Sequence, residues 1–272
     1  MPELPEVETI KNELRPHVVG RRISSVTLFW EGMLRQPSLV EFYSRIAGQR
    51  ITGLSRRGKY LIFSLASGEL LIVHLRMTGS LLIGKDSSLP RFTRAVLHLD
   101  DGSRIFFRDP RKFGKVQLVK DKDSVVGRLG PEPLEPSFTT RVLAELLARR
   151  KAPLKAVLID QNVIAGIGNM YADEALFSAG IHPLRPANSL SPKETRRLHR
   201  AIRRVLSSAI GNKGASVSTY LRPGGELGSA QLHFRVAHQG GKTCPVCGMP
   251  IQRIPIRGRG SYFCPRCQPE KA

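Results

Sequence analysis

Pro2, Glu3 and Glu6 place a potential secondary amine beside two carboxylates one helical turn apart. If Met1 is removed, which a residue as small as Pro2 permits, the chain opens on a proline nitrogen. A terminal amine with a reference pKa near 8 is about 10% free base at pH 7, against well under roughly 0.1% for an unperturbed lysine. Such a nitrogen attacks electrophilic carbon. The iminium that a secondary amine forms has no N–H proton to lose, so it persists as an electron sink for elimination. A Pro-Glu start also suits the first turn of any helix, where the dipole favours acids, and the pentad alone leaves both readings open.

The element that must carry these groups is a helix. Glu3, Glu6, Val7, Ile10 and Leu14 recur at three- and four-residue steps and share one face, so the two acids lie on the apolar stripe. Glu8, Lys11, Asn12 and Arg15 take the opposite, solvated face, and Pro16 is expected to end the helix.

With 272 residues the chain can bury a core and divides into two domains with a small third module. The 43 Lys and Arg against 22 Asp and Glu give a formal charge of +21, which implies a polyanionic partner, nucleic acid before anionic membrane. No apolar run approaches the about 20 residues that span a bilayer, and the acidic N-terminus is unlike a signal peptide. A cytoplasmic monomer with no membrane partner is expected. All four cysteines lie in the last 29 residues as Cys244-x-x-Cys247 and Cys264-x-x-Cys267, separated by 16 residues. That spacing closes a tetrahedral thiolate site in two knuckles, and it favours one structural zinc over iron. Ile256-Arg257-Gly258-Arg259-Gly260 lies between the knuckles and presents arginine at a hairpin tip.

Residues 21–120 read as strands forming an antiparallel sandwich or flattened barrel. Tyr60 to Leu65 and Glu69 to Leu75 flank an Ala-Ser-Gly turn, and Ala95 to Leu99 and Arg104 to Phe107 flank Asp100-Asp101-Gly102. The proline-rich run from Leu129 to Pro136 reads as a linker. Helices are expected around Val142 to Leu147, Leu154 to Ile159, Asn169 to Phe177 with Gly180 as terminator, and Pro192 to Ile210. The arginines of the last one read as a solvated face. The Gly- and Ser-rich stretch Gly211 to Gly228 reads as a mobile loop around one short helix. The fold class is therefore α+β: residues 1–130 an N-terminal antiparallel β-sandwich with an N-terminal helix, 131–235 a helical domain with a loop, and 236–272 a metal ribbon.

Taken jointly, Pro2-Glu3-Leu4-Pro5-Glu6-Val7-Glu8-Thr9, Arg57-Gly58-Lys59-Tyr60-Leu61 and Arg108-Asp109-Pro110-Arg111-Lys112-Phe113-Gly114 resemble the formamidopyrimidine-DNA glycosylase family. Ala165-Gly166-Ile167-Gly168-Asn169-Met170-Tyr171-Ala172-Asp173-Glu174 is similar to its helix-two-turn-helix, and Gly258-Arg259-Gly260 through Cys264-Pro265-Arg266-Cys267-Gln268 to its zinc ribbon. The matches span the chain in order. Leu4 after Glu3, in place of Gly, favours this branch over the similar endonuclease-eight-type enzymes for oxidised pyrimidines.

The resemblance implies base-excision repair of damaged double-stranded DNA held in an interdomain cleft. A glycosylase flips an oxidised purine out of the duplex, breaks its glycosidic bond and cuts the strand, acting best on formamidopyrimidine and 8-oxoguanine opposite cytosine. By that likeness Pro2 attacks the anomeric carbon, Glu3 is general acid and base at the sugar oxygen, and Glu6 orients groups nearby. Lys59 assists strand elimination from the first strand of a hairpin; standing alone it would read as a solvated lysine. Met77, Arg111 and Phe113 fill the gap left by the extruded base, although beside strands Met77 and Phe113 would otherwise read as core. Lys112 joins this DNA-binding run. Phosphate contacts fall to Lys151, Lys155, the backbone at Asn169 and Arg259, which also assists the second elimination.

Departures touch the damaged-base pocket. Arg94, expected among the DNA-binding residues, stands where the family often has His, Gly228-Ser229-Ala230-Gln231 replaces a Phe-Gln loop, and Ala237-His238-Gln239 replaces Tyr-Gly-Arg. They motivate two alternatives, a glycosylase for oxidised pyrimidines or of otherwise diverged specificity, and a catalytically idle damage-binding protein. Pro2, Glu3 and Lys59 together speak against the second.

Overall fold

The computed structural model describes residues 1–85 and 88–270. The chain forms two compact units, Met1–Arg128 with Asn212–Gln231, and Leu129–Gly211 with the segment from Leu232 onward.

In the first unit, α1 (Leu4–Val18) precedes β1 (Ile23–Leu28), β2 (Leu34–Gln36) and α2 (Leu39–Ile46). Seven strands follow: β3 (Ile51–Arg57), β4 (Tyr60–Leu65), β5 (Leu70–His74), β6 (Ser80–Gly84), β7 (Thr93–Leu99), β8 (Arg104–Arg108) and β9 (Lys115–Val119). They make two sheets, ordered β1-β7-β8-β6 and β2-β9-β5-β4-β3, with no closed barrel among the described residues. Every pairing is antiparallel except β2 with β9, which run parallel, so the sandwich is not purely antiparallel. The Asp100-Asp101-Gly102 turn forms as expected, with Gly102 N–H donating to Leu99 O at 3.2 Å.

Alternation decides which side chains go inside. Leu61, Phe63 and Leu65 of β4 join the main core with Val7, Ile10 and Leu14 of α1. Ile62 points the other way, to a smaller cluster with Ile72 and Val119. Val125 of the short helix α3 (Asp123–Val126) covers that cluster. The stripe on α1 is fully buried, each such side chain worth about 1.5–3 kcal/mol over an exposed one. Contrary to expectation α1 does not stop at Pro16 but runs through it to Val18. Proline removes its own N–H and crowds the carbonyl four residues back, and that carbonyl belongs to exposed Asn12, where water can serve.

The loop expected within the helical domain belongs by its contacts to the first unit, and it contains no helix before the 3₁₀ turn Ala230–His233. Arg222 forms a bidentate pair with Glu13 of α1, its Nη2 2.7 Å from Glu13 Oε1. Ile83 N–H donates to Pro223 O at 2.9 Å. Both partners are far away in sequence, which is why local composition suggested only mobility.

The second unit holds α4 (Thr140–Ala148), α5 (Leu154–Leu158), α6 (Asn169–Ala179) and α7 (Pro192–Gly211). Thr139 caps α4, and Ser191 with Glu194 forms a capping box on α7. Gly180 closes α6 in the left-handed region, φ 65°. Strands β10 (Gln252–Ile256) and β11 (Arg259–Phe263) pair as a hairpin packed on α6. No helix among the described residues is long and apolar enough to cross a membrane.

Candidate active site and metal centre

At the N-terminus Pro2, Glu3 and Glu6 are all buried. Glu3 is the N-cap of α1 and forms a capping box with Glu6. The Glu6 carboxylate accepts from Glu3 N–H at 2.7 Å and from Ala215 N–H at 2.8 Å, so one acid ties the head of α1 to the loop. A helix N-terminus and two amide dipoles are what a buried carboxylate requires in place of water. The approach is close enough to exclude a side chain. Gly214 has φ 75°, and a Cβ there would lie 2.9 Å from Glu6 Cγ. Tyr220 closes the same corner, donating to Lys213 O at 3.2 Å, and burial ahead of the nearby Glu6 and Glu13 charges raises its phenol pKa.

Lys59 lies in the two-residue turn joining β3 to β4 rather than on a strand, after Gly58 at φ 56°. It is buried, which removes the solvated-lysine reading. His74, unremarked in the sequence, accepts from Arg76 N–H through Nδ1 at 3.0 Å and packs edge-on against Tyr60. Burial first, then the charges of Arg76 and Lys59, push its pKa down to about 3.

Met77 and Phe113 are 40% and 42% exposed, which excludes the core reading for both. Arg111 stacks on the Phe113 ring at 4.5 Å. Exposed Lys112 holds a left-handed backbone, φ 58°. Arg94 is half-buried and its Nε donates to Asp109 O at 2.8 Å, so its guanidinium braces the turn bearing Arg111 and Phe113 rather than presenting itself to DNA as expected.

Within the second unit Lys151 and Arg259 are exposed, as phosphate ligands must be. Arg259 is the first residue of β11, and the hairpin tip is Arg257-Gly258. Lys155 differs from expectation. It is fully buried in α5, with Nζ 2.6 Å from Asp173 Oδ1 and 3.3 Å from Gly260 O. An ammonium desolvated this far is held by its buried carboxylate, so it cannot be counted as a surface phosphate contact. Asn169 Nδ2 donates to the same Gly260 carbonyl at 3.0 Å, while its backbone keeps the helix-start position that suits an anion. Asp173 Oδ2 accepts from Tyr262 N–H at 3.1 Å, and burial, against the pull of Lys155, lifts the Asp173 pKa to about 7. Lys155, Asn169 and Asp173 thus fasten β11 on the strand side next to Arg259.

Glu174 accepts three successive N–H groups, from Arg235, Val236 and Ala237, at 2.8–2.9 Å. This fixes the segment that leads into the Ala237-His238-Gln239 departure. His238 takes φ 60°, a conformation a glycine adopts without strain. Ser229 Oγ donates to Asn212 O at 3.2 Å, and Ala230 is buried. The available signal for Asp173 and Glu174 was two acids inside an otherwise apolar helix.

The four cysteine sulfurs lie within 4.8 Å of one another. Cys244 Sγ is 3.8 Å from Cys267 Sγ, and Cys247 Sγ 3.4 Å from Cys264 Sγ. A tetrahedron with metal–sulfur bonds of about 2.3 Å has edges of about 3.8 Å, so the sulfurs fit one zinc and are too far apart for disulfides. Each knuckle is closed by a backbone bond, Gly248 N–H to Cys244 O at 3.0 Å and Gln268 N–H to Cys264 O at 2.9 Å. Bound zinc would hold the two knuckles, and with them the β10–β11 hairpin, in one geometry.

Comparison with known proteins assigns each part separately. Residues 1–116 match the model of the formamidopyrimidine-DNA glycosylase N-terminal domain, 129–220 that of its H2TH domain, and 241–269 a zinc finger found in FPG and IleRS. The formamidopyrimidine-DNA glycosylase of Chloroflexus aurantiacus is 47% identical, covering 98% of this chain and 98% of that protein. The MutM (Fpg) crystal structure from Thermus thermophilus is 41% identical with a TM-score of 0.90 over 100% of both chains. Lactococcus lactis Fpg in complex with DNA containing an abasic site is 34% identical with a TM-score of 0.92, covering 98% of this chain and 100% of that one. A chain that keeps all three modules in this order, at this identity and over this length, belongs to the formamidopyrimidine-DNA glycosylase family.

Proposed function

We propose that this protein is a bifunctional DNA glycosylase of base-excision repair that removes formamidopyrimidine and 8-oxoguanine and then cleaves the strand. The observation that carries the reading is the pair of buried carboxylates, Glu3 and Glu6, at the head of α1 beside Pro2. Passive recognition of DNA needs no desolvated acids at a chain terminus, and keeping them there requires the capping box and the Ala215 amide.

The chemistry follows from an unprotonated Pro2 nitrogen once Met1 is gone. Its lone pair forms the bond to the anomeric carbon while the base leaves with the electrons of the glycosidic bond and takes up the proton that the newly bonded Pro2 nitrogen sheds. Glu3 delivers a proton to the sugar oxygen as the ring opens, and the secondary amine becomes an iminium. Loss of a proton from the adjacent carbon expels the phosphate on the 3′ side. A second elimination expels the phosphate on the 5′ side, and water releases the sugar fragment. Glu6 holds the Glu3 backbone in place, Lys59 serves the eliminations, and Arg259 grips phosphate and assists the second elimination. Met77, Arg111 and Phe113 occupy the gap in the duplex. Lys112, Lys151 and the Asn169 backbone are the remaining DNA contacts. The protein acts as a cytoplasmic monomer with one structural zinc.

The test is single-turnover excision from a duplex with 8-oxoguanine or formamidopyrimidine opposite cytosine. Glu3→Gln is expected to slow it by about 10²–10⁴-fold, the range for a general acid–base, with DNA affinity changed by less than about threefold. Unchanged excision by Glu3→Gln, or no excision by the native chain of either lesion, contradicts the proposal.

A further inference from the structure

We infer that Asp109 is a positioning residue that couples the Met77 turn to the Arg111–Phe113 turn, so that the gap-filling side chains enter DNA as one unit. The inference rests on the gap-filling reading above. Asp109 is 1% exposed and lies between two turns distant in sequence. Its Oδ1 accepts from the Thr78 hydroxyl and, at 3.2 Å, from Arg111 N–H. Its Oδ2 accepts from Phe113 N–H and Gly114 N–H, both at 2.7 Å. Four donors around one buried carboxylate replace its water. Three come from the turn bearing Arg111 and Phe113, and the fourth from the residue next to Met77.

The rest of the geometry leaves both turns little freedom. Gly79 N–H donates to Leu75 O at 3.0 Å, closing the chain around Met77. A Cβ on Gly114 would lie 2.4 Å from Phe107 Cζ, so the second turn is pressed against the sheet. From outside, Arg94 Nε holds Asp109 O, and Asp109 N–H donates to Phe92 O at 2.9 Å. Among the described residues only the Thr78 hydroxyl joins the first turn to this carboxylate. Removing it uncouples the turns and leaves three of the four donors in place.

The experiment measures single-turnover excision of 8-oxoguanine opposite cytosine and, in parallel, cleavage of a preformed abasic duplex, in which no base is extruded. Thr78→Val is expected to lower excision about tenfold, as misplacement of a positioned group does, while abasic cleavage changes less than twofold. Thr78→Ser, which keeps the hydroxyl, restores excision. Adding Thr78→Val to Met77→Ala causes no further loss, because the hydroxyl acts through Met77. Thr78→Val with native excision, with equal losses on both substrates, or with a loss that multiplies that of Met77→Ala overturns the coupling. If Met77→Ala and Phe113→Ala themselves leave excision unchanged, the gap-filling reading fails and the coupling with it. Should Thr78→Val not fold, Thr78→Ala against Thr78→Ser gives the same contrast.

Discussion

Asp109 and Glu6 of the first unit and Asp173 of the second are kept buried by different means, although Glu174 of the second unit also accepts three backbone N–H groups. In the first, Glu6 and Asp109 are satisfied by backbone N–H groups and a hydroxyl, and the segments they gather carry the N-terminus, the loop and the exposed Met77 and Phe113. In the second, Asp173 faces the Lys155 ammonium, and the four cysteine sulfurs are spaced to hold one metal cation. Amide donors can be given up one at a time, each worth about 1.5–3 kcal/mol when the acceptor is charged. An ion pair or a metal cannot be half removed. Adjustable geometry therefore accompanies the proposed reacting groups, and rigid geometry accompanies Arg259, the proposed phosphate contact.

The largest effect that separates the two arrangements is expected at Lys155. Lys155→Met strands the buried Asp173 and should lower the protection of α5 and α6 amides in native-state hydrogen exchange by about 3–5 kcal/mol, whereas Lys155→Met with Asp173→Leu should recover most of it. Protection unchanged in the single variant would erase the contrast between the units.

A smaller effect sharpens it at the ribbon. Arg259→Ala should weaken DNA binding with zinc retained and reduce the slope of log affinity against log salt by about one unit. Chelation or Cys244→Ser should weaken binding by at least as much, because the hairpin loses its fixed geometry. A native salt slope in Arg259→Ala would make the ribbon a clamp with no phosphate contact of its own.

The smallest effect belongs to the first unit and to pH. The folded pKa of His74, about 3, lies below its unfolded value near 6.5. Its contribution to stability is therefore complete above about 6.5 and is withdrawn as pH falls toward 3, at up to about 1.4 kcal/mol per pH unit. Urea unfolding at pH 7.5 and 5 should show a shallower pH dependence for His74→Gln than for the native chain. Equal slopes would mean that His74 is not buried in its neutral form.

What could be read without the structure is what depends on neighbours in the chain. The α1 stripe, the Asp100-Asp101-Gly102 hairpin and the Cys-x-x-Cys knuckles repeat at spacings fixed by helix, sheet or tetrahedron, and all are found where expected. Pro16 misled because a proline near a helix end loses only one exposed bond. Lys155 and Arg94 misled because a cation looks the same in sequence whether it faces solvent, Asp173 or the Asp109 carbonyl. The loop from Asn212 to Gln231 misled because Glu6, Glu13 and Ile83, which hold it, lie more than a hundred residues earlier. Met77 and Phe113 needed the resemblance to be suspected and the structure to be found exposed.

The central claim is that the Pro2 nitrogen bonds to the damaged sugar. Borohydride reduction during reaction with an 8-oxoguanine or abasic duplex, followed by mass spectrometry of the adduct, tests it directly because reduction fixes an iminium. The expected result is one covalent adduct at Pro2 in a chain lacking Met1, and no trapping when Met1 is retained. An adduct on Lys59 or any other lysine, or equal trapping with Met1 in place, would contradict the account.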